Sequence, residues 1–179
     1  MECRELLKKL CSINAVTGRE DVAAQAISDI LSPYCDVVKI DAFFNVIGLK
    51  KGQGENPRNV LVTAHYDQIG LIVTGVDENG FLRFTSMGGV DPKILGAQEV
   101  TVHGRRDLHG VIGTKPPHLI SPEDADKPVK MEDMLIDIGY GAEQARELVS
   151  VGDVVSFRFP VLELKNNRMA GRSMDNRSS

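Results

Sequence analysis

The spacing of apolar residues changes near residue 71, and this change constrains the fold more than any other feature of the chain. Before it, apolar side chains recur every three or four positions over residues 2–11 and 22–31, which predicts two amphipathic helices. The apolar run N-V-L-V-T-A-H-Y-D follows at 59–67. Because this run is uniformly apolar, it predicts a strand buried on both faces, and with the helices it indicates an α/β layered domain.

Local motifs predict where the first elements begin and end. Thr17 and Glu20 form a T-x-x-E sequence, which predicts a capping box at the start of the second helix. Ser32-Pro33 ends that helix, because proline cannot continue it. Residues 35–41 and 43–50 then predict two strands joined by a tight turn.

Beyond residue 71 the pattern is that of a β protein. Alternating segments on both sides of Asn79-Gly80 predict a hairpin, since this dipeptide accepts the positive φ that a tight turn requires. Four further short strands follow, and one short helix at 142–149 interrupts them. The sequence therefore predicts a β-barrel-like domain over 71–163, inserted into an α/β domain formed by 1–70 and 164–179.

Composition excludes several classes of protein. Lys+Arg 21 against Asp+Glu 25 gives a net charge of −4, and without a basic block the chain is not expected to bind nucleic acid. No apolar run approaches the ~18 residues of a membrane helix, and the N-terminus has no secretory apolar core. The three cysteines form no C-x-x-C motif, which is typical of reduced thiols. We therefore expect a cytoplasmic protein with no membrane partner.

His65 and Asp67 are the first candidate functional residues. They stand at positions i and i+2 at the end of the apolar run, so on an extended chain they point to the same side. Ligands of open α/β sheets bind beyond the ends of strands, and a neutral histidine oriented by a carboxylate is a good Zn²⁺ ligand. The alternative is a surface pair where a strand meets a loop.

Asp175 is the second candidate, within the segment S-M-D-N-R. A carboxylate can bridge two metal ions through its two oxygens, and the neighbouring arginine could hold the arrangement in place. A solvated acid near the terminus is the alternative interpretation. The sequence contains no G-x-S-x-G, P-loop, G-x-G-x-x-G or H-E-x-x-H motif, so motifs do not support a serine or cysteine nucleophile.

Taken in order, several segments resemble the cytoplasmic dinuclear-zinc aminopeptidases of the tetrahedral, deblocking or glutamyl aminopeptidase type, some of which are labelled endoglucanases. No single segment is decisive, but the ordered set is specific and covers nearly the whole chain. The matching segments are N-V-L-V-T-A-H-Y-D-Q-I-G-L-I-V (59–73), S-M-G-G-V-D-P (86–92), G-V-I-G-T-K-P-P-H (110–118), K-M-E-D-M-L-I-D-I-G (130–139), G-D-V-V-S-F (152–157) and S-M-D-N-R (173–177).

The resemblance implies a fold, a reaction and roles for residues. The fold would be the N-terminal part of a zinc-peptidase α/β domain, with the inserted β-domain serving homo-oligomerisation. His65 would bind one metal ion, Asp175 would bridge two, and Asp67 would serve catalysis by orienting His65. Two divalent ions, zinc or cobalt, would activate a water that hydrolyses the N-terminal bond of peptide substrates.

The sequence also departs from the family. Family members are about twice as long, and their Glu-Glu pair and remaining metal ligands follow the D-N-R motif, after which this sequence ends. We therefore expect a truncated chain with an incomplete or empty metal site, an uncovered apolar face and weak or no activity alone. Position 68 is Gln, where related sequences commonly have Glu.

Two alternatives remain open beside a truncated aminopeptidase. The chain could be one half of a split enzyme, or a non-catalytic module for assembly. The endoglucanase label is less expected, because no pair of carboxylates is spaced as a glycosidase requires.

Overall fold

The computed structural model describes residues 2–116, 129–175 and 177–178. The chain divides into two compact units, one formed by Met1–Gln68 with Pro160–Ser179 and the other by Ile69–Phe159. The C-terminal part of the G-V-I-G-T-K-P-P-H segment and Asn176 of S-M-D-N-R lie outside the described residues.

The first unit begins with the two predicted helices, α1 (Cys3–Ser12) and α2 (Asp21–Leu31). The capping box expected at the start of α2 is absent from the structure. Glu20 occupies the N-cap without a side-chain capping bond, and its carboxylate accepts from the Gly18 amide at 2.9 Å. The prediction was wrong because the Thr17 hydroxyl has a different acceptor, in a segment distant in sequence.

A hairpin follows α2, as predicted. Strands β1 (Val37–Ile40) and β2 (Val46–Leu49) pair antiparallel. Asp41 organises the connecting loop, because its Oδ1 accepts from the backbone amides of Phe43 at 2.9 Å and Asn45 at 2.8 Å. This loop holds Phe44 at a φ of 62°, a region that bulky side chains rarely occupy.

The strand predicted for residues 59–67 does not form. The segment makes no ladder with any strand of the described residues, and Val60, Leu61 and Val62 are 83–87% exposed. A strand acquires its hydrogen bonds and its burial only from neighbours. Within the described part of this unit, β1 and β2 pair only with each other, so the apolar run remains unpaired and exposed.

The second unit is a closed six-stranded barrel, which confirms the predicted barrel-like fold. Neighbouring strands are antiparallel, and β8 closes the barrel by pairing with both β3 and β5. Around the barrel the order is β3-β4-β7-β6-β5-β8. The strands are β3 (Gly70–Val76), β4 (Leu82–Met87), β5 (Glu99–His103), β6 (Asp107–Gly113), β7 (Leu135–Asp137) and β8 (Val154–Phe157), and helix α3 is Ala142–Leu148.

Alternation of side chains explains the barrel core. In β6 every second residue is buried, so Leu108 and Ile112 point inward while their neighbours face outward. Gly80 turns the β3–β4 hairpin at a φ of 97°, and a Cβ there would lie 2.2 Å from the Tyr140 carbonyl oxygen. Position 80 of the predicted Asn-Gly turn therefore requires glycine, both because its φ is positive and because a side chain there would collide with the backbone.

The chain re-enters the first unit at Pro160 and forms a second hairpin, β9 (Leu162–Leu164) and β10 (Arg168–Ala170). Its three-residue turn, 165–167, places Asn166 and Asn167 at positive φ, a conformation that asparagine tolerates better than most residues. No helix among the described residues is both long and apolar enough to cross a bilayer.

Candidate functional site

His65 and Asp67 lie at the end of the exposed segment, where the chain is anchored to the loop between α1 and α2. The Gln68 amide donates to the Ala15 carbonyl at 2.8 Å, and the Thr17 amide donates to the Gln68 carbonyl at 3.3 Å. These two bonds form a parallel bridge between Val16 and Gln68. The bridge fixes the backbone immediately after the H-x-D sequence.

The two side chains contact each other as their spacing predicted. His65 Nδ1 lies 3.0 Å from Asp67 Oδ1. Because an ionised carboxylate can only accept, the Nδ1 hydrogen is the donor, and the neutral ring then carries its lone pair on Nε2. Both side chains are about half exposed, at 49% and 43%. The imidazole therefore presents an accessible nitrogen ligand.

Asp175 faces that nitrogen. Its Oδ2 lies 3.9 Å from His65 Nε2, too far for a hydrogen bond. Two metal–ligand bonds of about 2.1 Å each can span about 4.2 Å, so a single ion could be shared by these atoms. The imidazole and carboxylate are also donor types that zinc accepts. The residues present thus fit a divalent metal ion.

Arg177 ties the Asp175 segment to the His65–Asp67 segment. Its guanidinium donates to the carbonyl of Tyr66, the residue between His65 and Asp67, from Nε at 2.9 Å and from Nη2 at 2.6 Å. Arg177 is only 8% exposed, and this burial lowers the pKa of its guanidinium. The charge is retained, because arginine is protonated throughout the physiological range.

The same guanidinium also reaches the end of α1. Nη1 of Arg177 donates to the carbonyls of Leu10 and Ile13, both at 2.7 Å. Carbonyls at the C-terminus of a helix have no partner within the helix, and they carry its partial negative charge. One buried cation therefore holds three segments of this unit together beneath the candidate ligands.

The structural role of Gln68 was missed by sequence reasoning, whereas an arginine that holds the Asp175 segment was expected. Its side-chain amide nitrogen donates to Asn14 Oδ1 at 2.8 Å, and its Oε1 accepts from the hydroxyl of Ser173. A glutamine can fill both roles, whereas an ionised glutamate could accept from Ser173 but could not donate to Asn14. Gln68 is buried, and it connects the α1–α2 loop to the segment that carries Asp175.

Thr17 completes the network around Asp67. Its hydroxyl donates to Asp67 Oδ2 at 3.0 Å, so the two oxygens of this carboxylate have different partners. Sequence reasoning assigned Thr17 to a helix cap because the T-x-x-E spacing is local. The true acceptor lies fifty residues further on, and no local pattern could indicate it.

An open groove of about 860 Å³ borders the site. It is lined by residues of α1, α2 and β2 and by the exposed segment, and its lining includes His65, Asp67 and Arg177. Within the described residues there is no group of three or more His, Cys, Asp or Glu side chains that could hold a metal ion. The described chain thus supplies two candidate ligands, His65 and Asp175.

Comparison with solved structures defines the class of protein. A TET1 peptidase from Pyrococcus horikoshii superposes with a TM-score of 0.83 at 35% identity, over 98% of this chain and 52% of that chain. A Thermotoga maritima structure described as an endoglucanase matches with a TM-score of 0.79 at 34% identity, over 96% of this chain and 50% of that chain. The fold is therefore that of a class of chains described as peptidases or endoglucanases.

Sequence comparison narrows this class to one family. Lysyl aminopeptidase from Pyrococcus furiosus is 35% identical over 180 residues, which is 97% of this chain and 51% of the relative. Residues 45–179 match the profile of the family described as M42 glutamyl aminopeptidase. The chain belongs to the M42 glutamyl aminopeptidase family, which confirms the resemblance inferred from its motifs. It spans about half the length of the curated relatives it matches.

Proposed function

We propose that this chain is part of a metal-dependent aminopeptidase that hydrolyses the N-terminal bonds of peptides. The observation that carries the proposal is the arrangement of His65 between Asp67 and Asp175, at 3.0 Å and 3.9 Å. Membership of the M42 glutamyl aminopeptidase family supports the reaction class, and the name of the Pyrococcus furiosus relative supports peptide substrates.

In this proposal His65 Nε2 and Asp175 hold a divalent ion, zinc or cobalt. When bound, such an ion lowers the pKa of a water molecule and polarises a carbonyl. Asp67 accepts the Nδ1 hydrogen of His65 and so keeps the Nε2 lone pair directed at the ion. Asp175 Oδ2 faces His65, and as the resemblance implies, Asp175 would bridge to a second ion through its other carboxylate oxygen.

We also propose that a polypeptide of these 179 residues has weak activity by itself. Catalytic zinc sites commonly use three protein ligands, whereas the described residues group only two candidates. The remaining ligands and the general base would come from polypeptide corresponding to the unmatched half of the relatives. In a split enzyme a second chain would supply these ligands and the general base, whereas a purely structural module would not need them.

We assign self-association to the barrel unit, Ile69–Phe159, and we place the protein in the cytoplasm. The Pyrococcus horikoshii peptidase is described as assembling into a tetrahedron or an octahedral shell, which supports a homo-oligomer. The three free cysteines, Cys3, Cys11 and Cys35, support a reducing compartment. The endoglucanase description of one structural neighbour is less well supported here, since the site pairs a histidine with carboxylates.

Metal titration tests the proposal directly. We expect Co²⁺ to bind the chain with the visible absorption of a nitrogen–oxygen site, and His65→Ala or Asp175→Ala to weaken binding at least about tenfold. His109→Ala is the matched control, because His109 is half exposed and contacts Glu99 at 3.0 Å on the barrel. Equal Co²⁺ affinity in the His65→Ala and wild-type chains would overturn the site.

Activity provides the second measurement. The purified 179-residue chain should hydrolyse aminoacyl-p-nitroanilides barely above background. Addition of polypeptide corresponding to the second half of the relatives should restore turnover that a chelator abolishes. Robust turnover by the chain alone, lost on chelation and in Asp175→Ala, would contradict the proposal that its ligand set is incomplete.

A further inference from the structure

Asp67 is held from two directions by residues that are far apart in sequence. His65 Nδ1 donates to Oδ1, and the Thr17 hydroxyl donates to Oδ2, each at 3.0 Å. A carboxylate with a single hydrogen-bond donor can rotate about its Cβ–Cγ bond and turn its plane away from that donor. With a separate donor on each oxygen, Asp67 has one preferred orientation.

The position of Thr17 does not depend on that hydrogen bond. Its backbone amide donates to the Gln68 carbonyl, and the adjacent Val16 is buried in the parallel bridge to Gln68. The backbone contacts of Thr17 thus place its hydroxyl beside Oδ2 of Asp67, the residue immediately before Gln68. The loop between α1 and α2 acts as a rigid support for Asp67.

We propose that Thr17 is a positioning residue of the metal site, which acts through Asp67 on the tautomer of His65. By holding Oδ2, Thr17 keeps Oδ1 opposite Nδ1, so that the ring hydrogen remains on Nδ1 and Nε2 stays free to bind an ion. Which ring nitrogen of a histidine is protonated is set by the hydrogen bond that the other nitrogen makes. The inference rests on the proposed function, in which Nε2 is a metal ligand.

Two substitutions of Thr17 separate the effect of its hydroxyl from the effect of its side-chain shape. Thr17→Val keeps the branched side chain and removes the donor, whereas Thr17→Ser keeps the donor. Thr63→Val is the matched control, because Thr63 is an exposed threonine two residues before His65. Thermal unfolding of each variant shows whether the chain is equally stable.

The first readout needs no metal. Long-range ¹H–¹⁵N NMR of the histidine rings, assigned with His65→Gln, reports the tautomer in the metal-free protein. We expect His65 to be protonated at Nδ1 in the wild type and in Thr17→Ser. In Thr17→Val the two ring nitrogens should shift toward each other, since a mixture of tautomers averages them. A role confined to loop stability would leave these shifts unchanged.

The second readout is the affinity for Co²⁺. Changing an outer partner of a ligating histidine typically lowers metal affinity by 10–100-fold. Thr17 stands one step further from the ion, so we expect a loss of about 3–10-fold in Thr17→Val and less than about 2-fold in Thr17→Ser and Thr63→Val. In an Asp67→Ala background the Thr17→Val change should have no further effect, because the acceptor it acts on is gone.

The outcomes distinguish this inference from the proposed function. The role of Thr17 alone would be overturned if Thr17→Val had the ring shifts and the Co²⁺ affinity of the wild type. It would also be overturned if Thr17→Ser lost them. Unchanged Co²⁺ affinity in His65→Ala would overturn the proposed metal site, whereas the tautomer measurement on the metal-free protein would still report whether Thr17 orients Asp67.

Discussion

Arg177 shows how one side chain can determine the geometry of a site that it does not enter. Its guanidinium donates to the carbonyls of Tyr66, Leu10 and Ile13, and none of these acceptors is a side chain. Asp175, two residues earlier, is held through the same turn, in which the Arg177 amide donates to the Asp175 carbonyl at 2.8 Å. The position of Asp175 therefore depends on where this arginine is buried.

We predict that Arg177→Lys lowers the free energy of unfolding by about 2–3 kcal/mol and that Arg177→Met lowers it further. An ammonium group cannot serve three carbonyls in the planar arrangement that a guanidinium provides. The Leu10 carbonyl also accepts from the Ile13 amide, but the carbonyls of Ile13 and Tyr66 would lose hydrogen bonds to a charged donor, each worth about 1.5–3 kcal/mol. Urea denaturation measures the change. Arg168→Lys, an exposed arginine of the same unit, is the control and should be neutral. Equal stability of the Lys variant and the wild type would contradict this account.

Sequence reasoning succeeded at this scale where a contact is local. His65 and Asp67 meet because they stand two positions apart on an extended chain, which the sequence states directly. It failed where the partner is a backbone carbonyl or a distant side chain. The acceptors of Arg177 have no signature in the sequence, and the partner of Thr17 lies fifty residues away.

At the scale of single elements, the β1–β2 hairpin depends on the carboxylate of Asp41. The side-chain amide of Asn45 donates to Asp41 Oδ2 at 2.8 Å, and this bond is the main reason why the pKa of Asp41 lies below its usual value. The backbone amides of Phe43 and Asn45 add to the effect. The ionised form is therefore favoured in the folded loop relative to the unfolded chain.

The sign of the pH dependence follows from that shift. A carboxylate with a lowered folded pKa contributes stability above its unfolded value of 3.8, and this contribution is lost as the pH falls through the folded pKa. We predict that Asn45→Ala returns the pKa of Asp41 toward 3.8, because it removes the largest cause. Carboxyl ¹³C NMR over about pH 2–6 measures the titration. An unchanged Asp41 titration curve in Asn45→Ala would disprove the assignment.

Two elements show why patterns predict some structures and not others. The barrel strands were predictable because alternation of apolar and polar residues specifies a one-sided strand whose partners are close in sequence. The run at 59–67 indicated a strand buried on both faces, which needs neighbours on both edges and both faces. Among the described residues no strand pairs with this run, so Val60, Leu61 and Val62 are left exposed.

At the scale of the whole molecule, the exposed segment and the barrel favour different kinds of association. Val60, Leu61 and Val62 present contiguous apolar surface beside unpaired backbone groups, a combination that promotes non-specific edge-to-edge contact. The barrel is closed, so its strands have no free edge. The proposed association through the barrel unit would therefore not use a free strand edge of the described residues, and we expect it to give a discrete oligomer.

Association through the exposed segment and association through the barrel can be separated in a single experiment on the full chain. We predict that sedimentation velocity at micromolar concentration shows a discrete oligomer together with polydisperse larger species. The triple variant Val60→Thr, Leu61→Thr, Val62→Thr should lose the larger species and retain the oligomer, since it removes three side chains that are 83–87% exposed. Val151→Thr, a change at a side chain 71% exposed in the barrel unit, controls for loss of apolar surface elsewhere and should keep both. A monomer in the wild type and in the triple variant would contradict self-association through the barrel, and larger species that persist in the triple variant would show that residues 60–62 do not cause them.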